Sequence, residues 1–126
     1  DSGLLHYLLG IQNFDTLIGH PSAGASWEGW LVEQLLALIP SYWSVNFYRT
    51  AAGAEMDIVL HPTQLKPPIA VEFKYSLAPK LTKSFWSAVE DLKPKKVFVV
   101  YPGKESYPLA ENIWTLPANQ LNKIIE

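Results

Sequence analysis

The 126-residue chain contains no cysteine. This absence excludes disulfides, thiolate zinc sites and cysteine nucleophiles together, and it fits the reducing cytoplasm in which we expect the protein to work. No apolar run reaches the roughly 20 residues that a membrane-spanning helix needs, and we expect no secretory signal. Hydrophobic residues make up 48% of the chain, which is enough to pack one domain of ordinary size. We therefore predict a cytoplasmic protein with no membrane partner.

Basic residues are missing from the first 48 positions, so the net charge of -2 hides an uneven distribution. Six lysines then crowd into positions 74 to 96. Such a cluster can meet a polyanion, and it predicts DNA as a partner. The lysines expected to follow its phosphates are Lys80, Lys83, Lys93, Lys95 and Lys96. The alternative interpretation is a solvated helix face, which is the commoner role of grouped lysines.

Two further patterns are absent. The three histidines, His6, His20 and His61, show no metal-ligand spacing. No glycine-rich phosphate-binding loop occurs, so we expect no ATP hydrolysis by this chain. We interpret the five tryptophans as core or edge residues rather than as platforms on which bases stack.

Apolar residues at helical spacing predict several helices. These are two short helices within residues 3–19, one from Trp27 to about Ile39, one from Pro79 or Lys80 to Leu92, and one from Ala118 to Ile125. Ser26 is the predicted N-cap of the helix that begins at Trp27. Its predicted buried stripe consists of Trp27, Leu31, Leu35 and Leu38.

Alternating and continuous apolar runs predict the strands. They cover residues 43–50, 55–61, 69–75, 97–101 and, as a last short strand, 112–116. The order strand, helix, strand from 69 to 101 predicts a right-handed parallel unit, whereas the earlier strands can form a meander. We therefore predict an α/β fold with a mixed sheet of four to five strands and helices on both faces.

One acid and one lysine close the third predicted strand. Residues two apart on a strand share a face, so Glu72 and Lys74 should lie side by side. Asp57 interrupts the apolar run of the preceding strand, where a buried unpaired charge is costly. If the two strands pair, Asp57 joins the site, and its charge is compensated by Lys74, Arg49 or a metal ion. Two carboxylates beside a lysine are typical of phosphodiester cleavage that depends on Mg²⁺ or Mn²⁺.

Three other acids have open interpretations. Glu28 is either an ordinary acid in the first turn of a helix, favoured there by the helix dipole, or a third carboxylate of the site. Glu33 is the rival for that third position. Glu55 either contributes to the site or is the solvated start of its strand.

Four segments together resemble a known family. They are Asp1-Ser2-Gly3-Leu4-Leu5, Trp27–Leu35, Tyr48–Thr50 followed by Gly53, Glu55 and Asp57, and Val71–Ser76. In content and order they are similar to the domain of unknown function at the C-terminus of many prokaryotic AAA+ ATPases, whose C-terminal half resembles the PD-(D/E)xK nucleases.

That resemblance implies a restriction-endonuclease-like fold. It implies that Asp57 and Glu72 hold Mg²⁺, that Lys74 orients or activates the attacking water, and that Glu28 is the acid of the helix. The chain departs from the nuclease motif at one position, since Met56 stands where the motif has a proline before its aspartate.

Two functions are consistent with these observations. One is a metal-dependent nuclease domain acting on DNA, and the other is a catalytically inactive module that regulates the ATPase or binds a partner. We expect a single domain over residues 1–126, with a short helical lead-in over 1–20 from a missing upstream ATPase part and a nuclease-like core over 26–126. The apolar residues of the lead-in predict contact with that upstream part, or a two-fold homodimer.

Overall fold

The computed structural model describes residues 23–126. The chain divides into two units, Asp1–Leu38 and Ile39–Glu126. The predicted lead-in over residues 1–20, its short helices and its dimer contact lie outside the described residues. The predicted single domain stays a prediction. None of the helices within residues 23–126 has the length and hydrophobicity that a membrane span requires.

In the first unit, helix α1 spans Ala23–Leu38. It begins upstream of the predicted start, so Ser26 lies inside the helix and its assignment as the N-cap was wrong. Glu28 consequently lies beyond the first turn of α1, and the interpretation that placed it in the first turn was wrong. Burial of Trp27, Leu31 and Leu35 confirms most of the predicted stripe, but Leu38 is 45% exposed because it lies at the helix end.

The second unit contains a six-stranded mixed sheet. Its strands are β1 (Ser44–Arg49), β2 (Glu55–His61), β3 (Ile69–Phe73), β4 (Lys96–Tyr101), β5 (Pro108–Ala110) and β6 (Ile113–Pro117). The spatial order is β1-β2-β3-β4-β6-β5. Strand β4 is parallel to β3 and β6, and the remaining pairs are antiparallel. The α/β class and the mixed sheet are confirmed, whereas the expected four to five strands was too few because β5 was missed.

Helix α2 (Lys83–Leu92) connects the parallel strands β3 and β4. It begins later than predicted because Thr82 is its N-cap and accepts a hydrogen bond from the backbone N–H of Phe85. Phe85 and Ala88 are fully buried and belong to a core cluster with residues of β2, β3 and β4. The predicted final helix is present as a 3-10 helix over Ala118–Ile124.

The strand directions give the sheet two chemically different ends. At the carboxylate end, β3 and β4 finish at Phe73 and Tyr101 and the antiparallel β2 begins. At the lysine end, β4 begins at Lys96, directly opposite Ile69 of β3. Ile69 and Glu72 are three positions apart on β3, which corresponds to roughly 10 Å along the sheet.

Candidate functional site

A β-bulge in β2 positions Asp57. One residue of β1 lies between Asn46 and Tyr48, but two residues lie between their partners Val59 and Met56. The extra residue therefore falls at Asp57 and Ile58. A bulge takes a residue out of the regular ladder and re-aims its side chain, which is why bulges are frequent next to active sites.

Where the backbone ladder between β2 and β3 ends, carboxylate side chains accept the next hydrogen bonds between the two strands. The last backbone pair joins Ile58 and Val71. Beyond it, the backbone N–H of Asp57 donates to Glu72 Oε1 at 3.2 Å, and the backbone N–H of Phe73 donates to Asp57 Oδ2 at 2.9 Å. Each acid thus accepts a hydrogen bond from the backbone of the neighbouring strand. This reciprocal arrangement holds the two carboxyl groups against each other at the carboxylate end.

Lys74 completes the group. It follows the last residue of β3, and its backbone N–H donates to the carbonyl of Val100 on β4 at 2.9 Å. Its Nζ lies 3.7 Å from Glu72 Oε2, and the Lys74 side chain is 27% exposed whereas that of Glu72 is 8% exposed. The predicted side-by-side placement of Glu72 and Lys74 is therefore confirmed. The ammonium group reaches toward solvent while the carboxyl group beside it is buried.

Burial raises the pKa of Glu72 to about 8, helped by the hydrogen bonding and the negative charge of Asp57 and opposed by the attraction of Lys74. Glu72 therefore keeps a proton at neutral pH that an ordinary glutamate has released. When both acids are ionised, the single Lys74 ammonium leaves one net negative charge in this partly buried group, and that charge favours a bound cation. Oxygen ligands of this type suit hard cations such as Mg²⁺, Mn²⁺ or Ca²⁺. The donor chemistry fits the metal that the resemblance implies.

Within the sheet unit, no third acidic or histidine side chain joins Asp57 and Glu72 as a possible ligand. Glu55 pairs instead with Arg49, whose Nε lies 3.4 Å from Glu55 Oε1, and both side chains are largely exposed. The solvated interpretation of Glu55 is thus the one that the structure favours. Arg49, occupied in this way, is not the group that compensates Asp57.

Glu28 lies in α1, in the first unit, whereas the Asp57, Glu72 and Lys74 group lies in the second. Its role as the third acid stays a prediction of the resemblance. Glu28 is half-buried, and its rival Glu33 is exposed.

The structure separates the lysines that the sequence groups together. Lys80 precedes α2 and Lys83 is its first residue, so both follow the carboxylate end of β3. Lys93, Lys95 and Lys96 come after α2 has returned the chain to the lysine end. The predicted DNA-binding lysines are therefore divided between the two ends of the sheet, and their contact with DNA stays a prediction.

One contributor to the site was missed from the sequence. The backbone N–H of Phe73 binds the carboxylate of Asp57, and this depends on where the ladder stops rather than on any side chain. The only sequence signal for this contact was the presence of Asp57 and Glu72, because carboxylates readily accept hydrogen bonds from unpaired backbone N–H groups.

The fold and the site define an α/β domain with an acidic pair and a lysine at one end of its sheet. Residues 23–121 match the family described as Domain of unknown function (DUF4143), and the chain belongs to that family. It is similar to Uncharacterized protein Mb2031c of Mycobacterium bovis and Uncharacterized protein Rv2008c of Mycobacterium tuberculosis, each 38% identical over 124 residues. The alignment covers 96% of this chain and 27% of each relative, so the chain spans about a quarter of their length. No solved structure matches the chain significantly.

Proposed function

We propose that this chain is a nuclease-like domain of the PD-(D/E)xK type that hydrolyses DNA phosphodiester bonds with Mg²⁺ or Mn²⁺. The observation that carries the proposal is the reciprocal hydrogen bonding of Asp57 and Glu72 with Lys74 at 3.7 Å. Burial and the neighbouring Asp57 raise the pKa of Glu72 to about 8. Perturbed acids of this kind concentrate at functional sites.

In this proposal Asp57 and Glu72 hold the cation, which when bound supplies a Lewis acid for the phosphate and lowers the pKa of a water molecule. Lys74 has a different task. Its ammonium group lies at the mouth of the site, more exposed than the acid beside it, where it orients the attacking water and stabilises negative charge on the phosphate. The Glu72 side chain is only 8% exposed, and electrostatic interactions are stronger in such a low-dielectric position than in water.

We also propose that the domain is the C-terminal part of a prokaryotic AAA+ ATPase. The support is the similarity of the four sequence segments named above and the much greater length of the mycobacterial relatives, of which this domain fills 27%. The remaining length of those proteins is sufficient for an ATPase region. The ATPase would then be the first partner of this domain, with DNA as the second.

A cleavage assay tests the proposal. The full chain is incubated with supercoiled plasmid and with branched DNA in Mn²⁺ and in EDTA, and products are followed over time. We expect cleavage that requires the metal, that falls by two to three orders of magnitude in Asp57→Ala, that is also strongly reduced in Lys74→Met, and that survives in Glu55→Gln. Glu55 is the matched control because it lies on the same strand but pairs with Arg49 at the surface. Cleavage that persists in Asp57→Ala would show that the activity comes from elsewhere.

A second candidate function is a catalytically inactive module that regulates the ATPase or binds a partner. The observation in its favour is that the acids already accept hydrogen bonds from the backbone, and that only two acids converge within the sheet unit. In that case the acids and Lys74 form a structural network. Wild-type protein that neither binds Mn²⁺ nor cleaves any DNA would favour this function.

A further inference from the structure

The sheet unit also contains a groove on the face of the sheet opposite to α2. Side chains alternate along β4, so Val97 and Val99 join the core under α2 while Phe98 points to the opposite face. The 3-10 helix packs beside β4 and β6. Between these elements lies a groove of about 350 Å³, which we call the β4–β6 groove. Its lining includes Lys96, Phe98, Trp114, Leu116, Lys123 and Glu126.

Two aromatic residues form the floor of this groove. Phe98 and Trp114 are register partners on adjacent parallel strands, so their side chains lie next to each other on one face. Phe98 is buried and lies under the ammonium group of Lys96, 4.9 Å from Nζ to the ring centroid. Trp114 is 37% exposed. The groove therefore presents an accessible indole surface beside a positive charge.

Positive charge continues beyond the groove. An adjoining cavity of about 160 Å³ is lined by Lys66 and Lys95 and shares Glu126 with the first. The four lysines of the two cavities are exposed, and among residues 23–126 none of them is in an ion pair. They are Lys66, Lys95, Lys96 and Lys123. The one carboxylate of the shared rim, Glu126, accepts a hydrogen bond from Asn122 at 3.5 Å. The charge along the two cavities is thus predominantly positive.

We propose that this surface binds single-stranded nucleic acid, with a base stacked on Trp114 and the flanking phosphates on Lys96 and Lys123. Aromatic platforms combined with a basic track are the features that bind single strands with little sequence preference. The groove volume is in the range of small-ligand sites and suits one nucleotide. A duplex keeps its bases stacked and cannot offer a base face to Trp114. The bound nucleic-acid strand continues over Lys66 and Lys95 in the adjoining cavity, which a free nucleotide would not reach.

This surface does not depend on the proposed cleavage. It begins at the lysine end and lies on the face opposite α2, so it can be occupied while the acids are empty or mutated. Binding is measured by fluorescence anisotropy of a labelled oligothymidylate of about 12 nucleotides, with the full chain in EDTA and at about 50 mM salt. In EDTA no metal-dependent cleavage interferes.

We expect Trp114→Ala to weaken binding roughly five- to 150-fold, the range that corresponds to the loss of one stacked base. Trp86→Ala is the matched control, since Trp86 is also exposed, at 43%, but belongs to α2. Lys123→Glu should weaken binding at least as much without touching the core, and Glu126→Gln should strengthen it. Asp57→Ala should leave it unchanged.

Three results would overturn the proposal. The first is an absence of binding at low salt. The second is equal loss in Trp114→Ala and Trp86→Ala together with no effect of Lys123→Glu. The third is competition by a nucleoside monophosphate that binds as tightly as the oligonucleotide, which would make the ligand a free nucleotide. A correctly folded Lys123→Glu, checked by circular dichroism, keeps the test valid if Trp114→Ala does not fold.

Discussion

The two ends of the sheet use charge in opposite ways. At the carboxylate end, Glu72 is buried and holds a proton because of its surroundings, and Lys74 is its only close cation among the described residues. At the lysine end, exposed ammonium groups surround an indole and lack ion-pair partners within the described range. A buried acidic site suits a small hard cation, whereas an exposed basic track suits an extended polyanion. The crossover through α2 separates Lys80 and Lys83 from Lys95 and Lys96, although these lysines are close in sequence.

The largest expected effects come from measuring both cleavage and single-strand binding in one variant of each end of the sheet. Asp57→Ala should lower Mn²⁺-dependent cleavage by two to three orders of magnitude, because a lost metal ligand removes several kcal/mol of transition-state stabilisation. The same variant should bind the oligothymidylate normally. Trp114→Ala should show the reverse pattern, with single-strand binding reduced and plasmid nicking within about twofold of wild type. Parallel loss of both activities in either variant would mean that the two ends are one site.

The pH dependence of stability comes next in size. The raised pKa of Glu72 means that the folded protein keeps a proton that the unfolded chain has lost above its ordinary value of 4.5. This stabilisation is complete at low pH and disappears as pH rises to about 8, with a slope of up to about 1.4 kcal/mol per pH unit. Metal-free urea unfolding between these values should show the decline, and Glu72→Gln should flatten it.

Glu90→Gln is the control for this titration, because Glu90 is an exposed acid on α2. Its variant should follow the wild-type pH profile. Wild-type stability that stays constant or increases over the same range would contradict the buried, protonated state of Glu72.

A smaller effect separates the lysines. If duplex DNA lies at the carboxylate end, Lys80→Ala and Lys83→Ala should each reduce the slope of log affinity against log salt by about 0.9. The wild-type slope for about four phosphate contacts is roughly -3 to -4. Lys96→Ala should leave the duplex slope unchanged. An equal reduction in Lys96→Ala would instead support one continuous duplex surface formed by the whole predicted lysine cluster.

The smallest effect is expected at Glu55. Its ion pair with Arg49 is exposed, and pairs of this kind contribute at most about 1 kcal/mol. Glu55→Gln should change the free energy of unfolding by less than about 0.5 kcal/mol and leave Mn²⁺ binding intact. Loss of metal binding in this variant would return Glu55 to the site.

The strands with strong local patterns were predictable from the sequence. The bounds of β2 match the prediction, and β4 begins only one residue earlier than predicted, because apolar runs between polar turns carry this information locally. Strand β5 was missed since it has three residues, begins with Pro108 and exists only through its pairing with β6. The start of α2 was misplaced because Thr82 stops the helix from including the preceding residues.

The site was predictable in its members and not in its geometry. The two-residue spacing of Glu72 and Lys74 gave their shared position, and the apolar run around Asp57 marked it as unusual. The bulge that re-aims Asp57 was invisible, because it results from the pairing of β1 with β2 rather than from either strand alone. The division of the lysines also required the topology, since nothing local shows how far a crossover helix carries the chain.

Calorimetric titration with Mn²⁺ above about pH 8, where Glu72 is ionised, tests the central claim most directly. The account predicts one site in the wild type and at least about tenfold weaker binding in Asp57→Ala and Glu72→Gln. Glu55→Gln should bind like the wild type. Equal affinity of wild type and Asp57→Ala for Mn²⁺ would contradict the claim that the carboxylate end is a metal site.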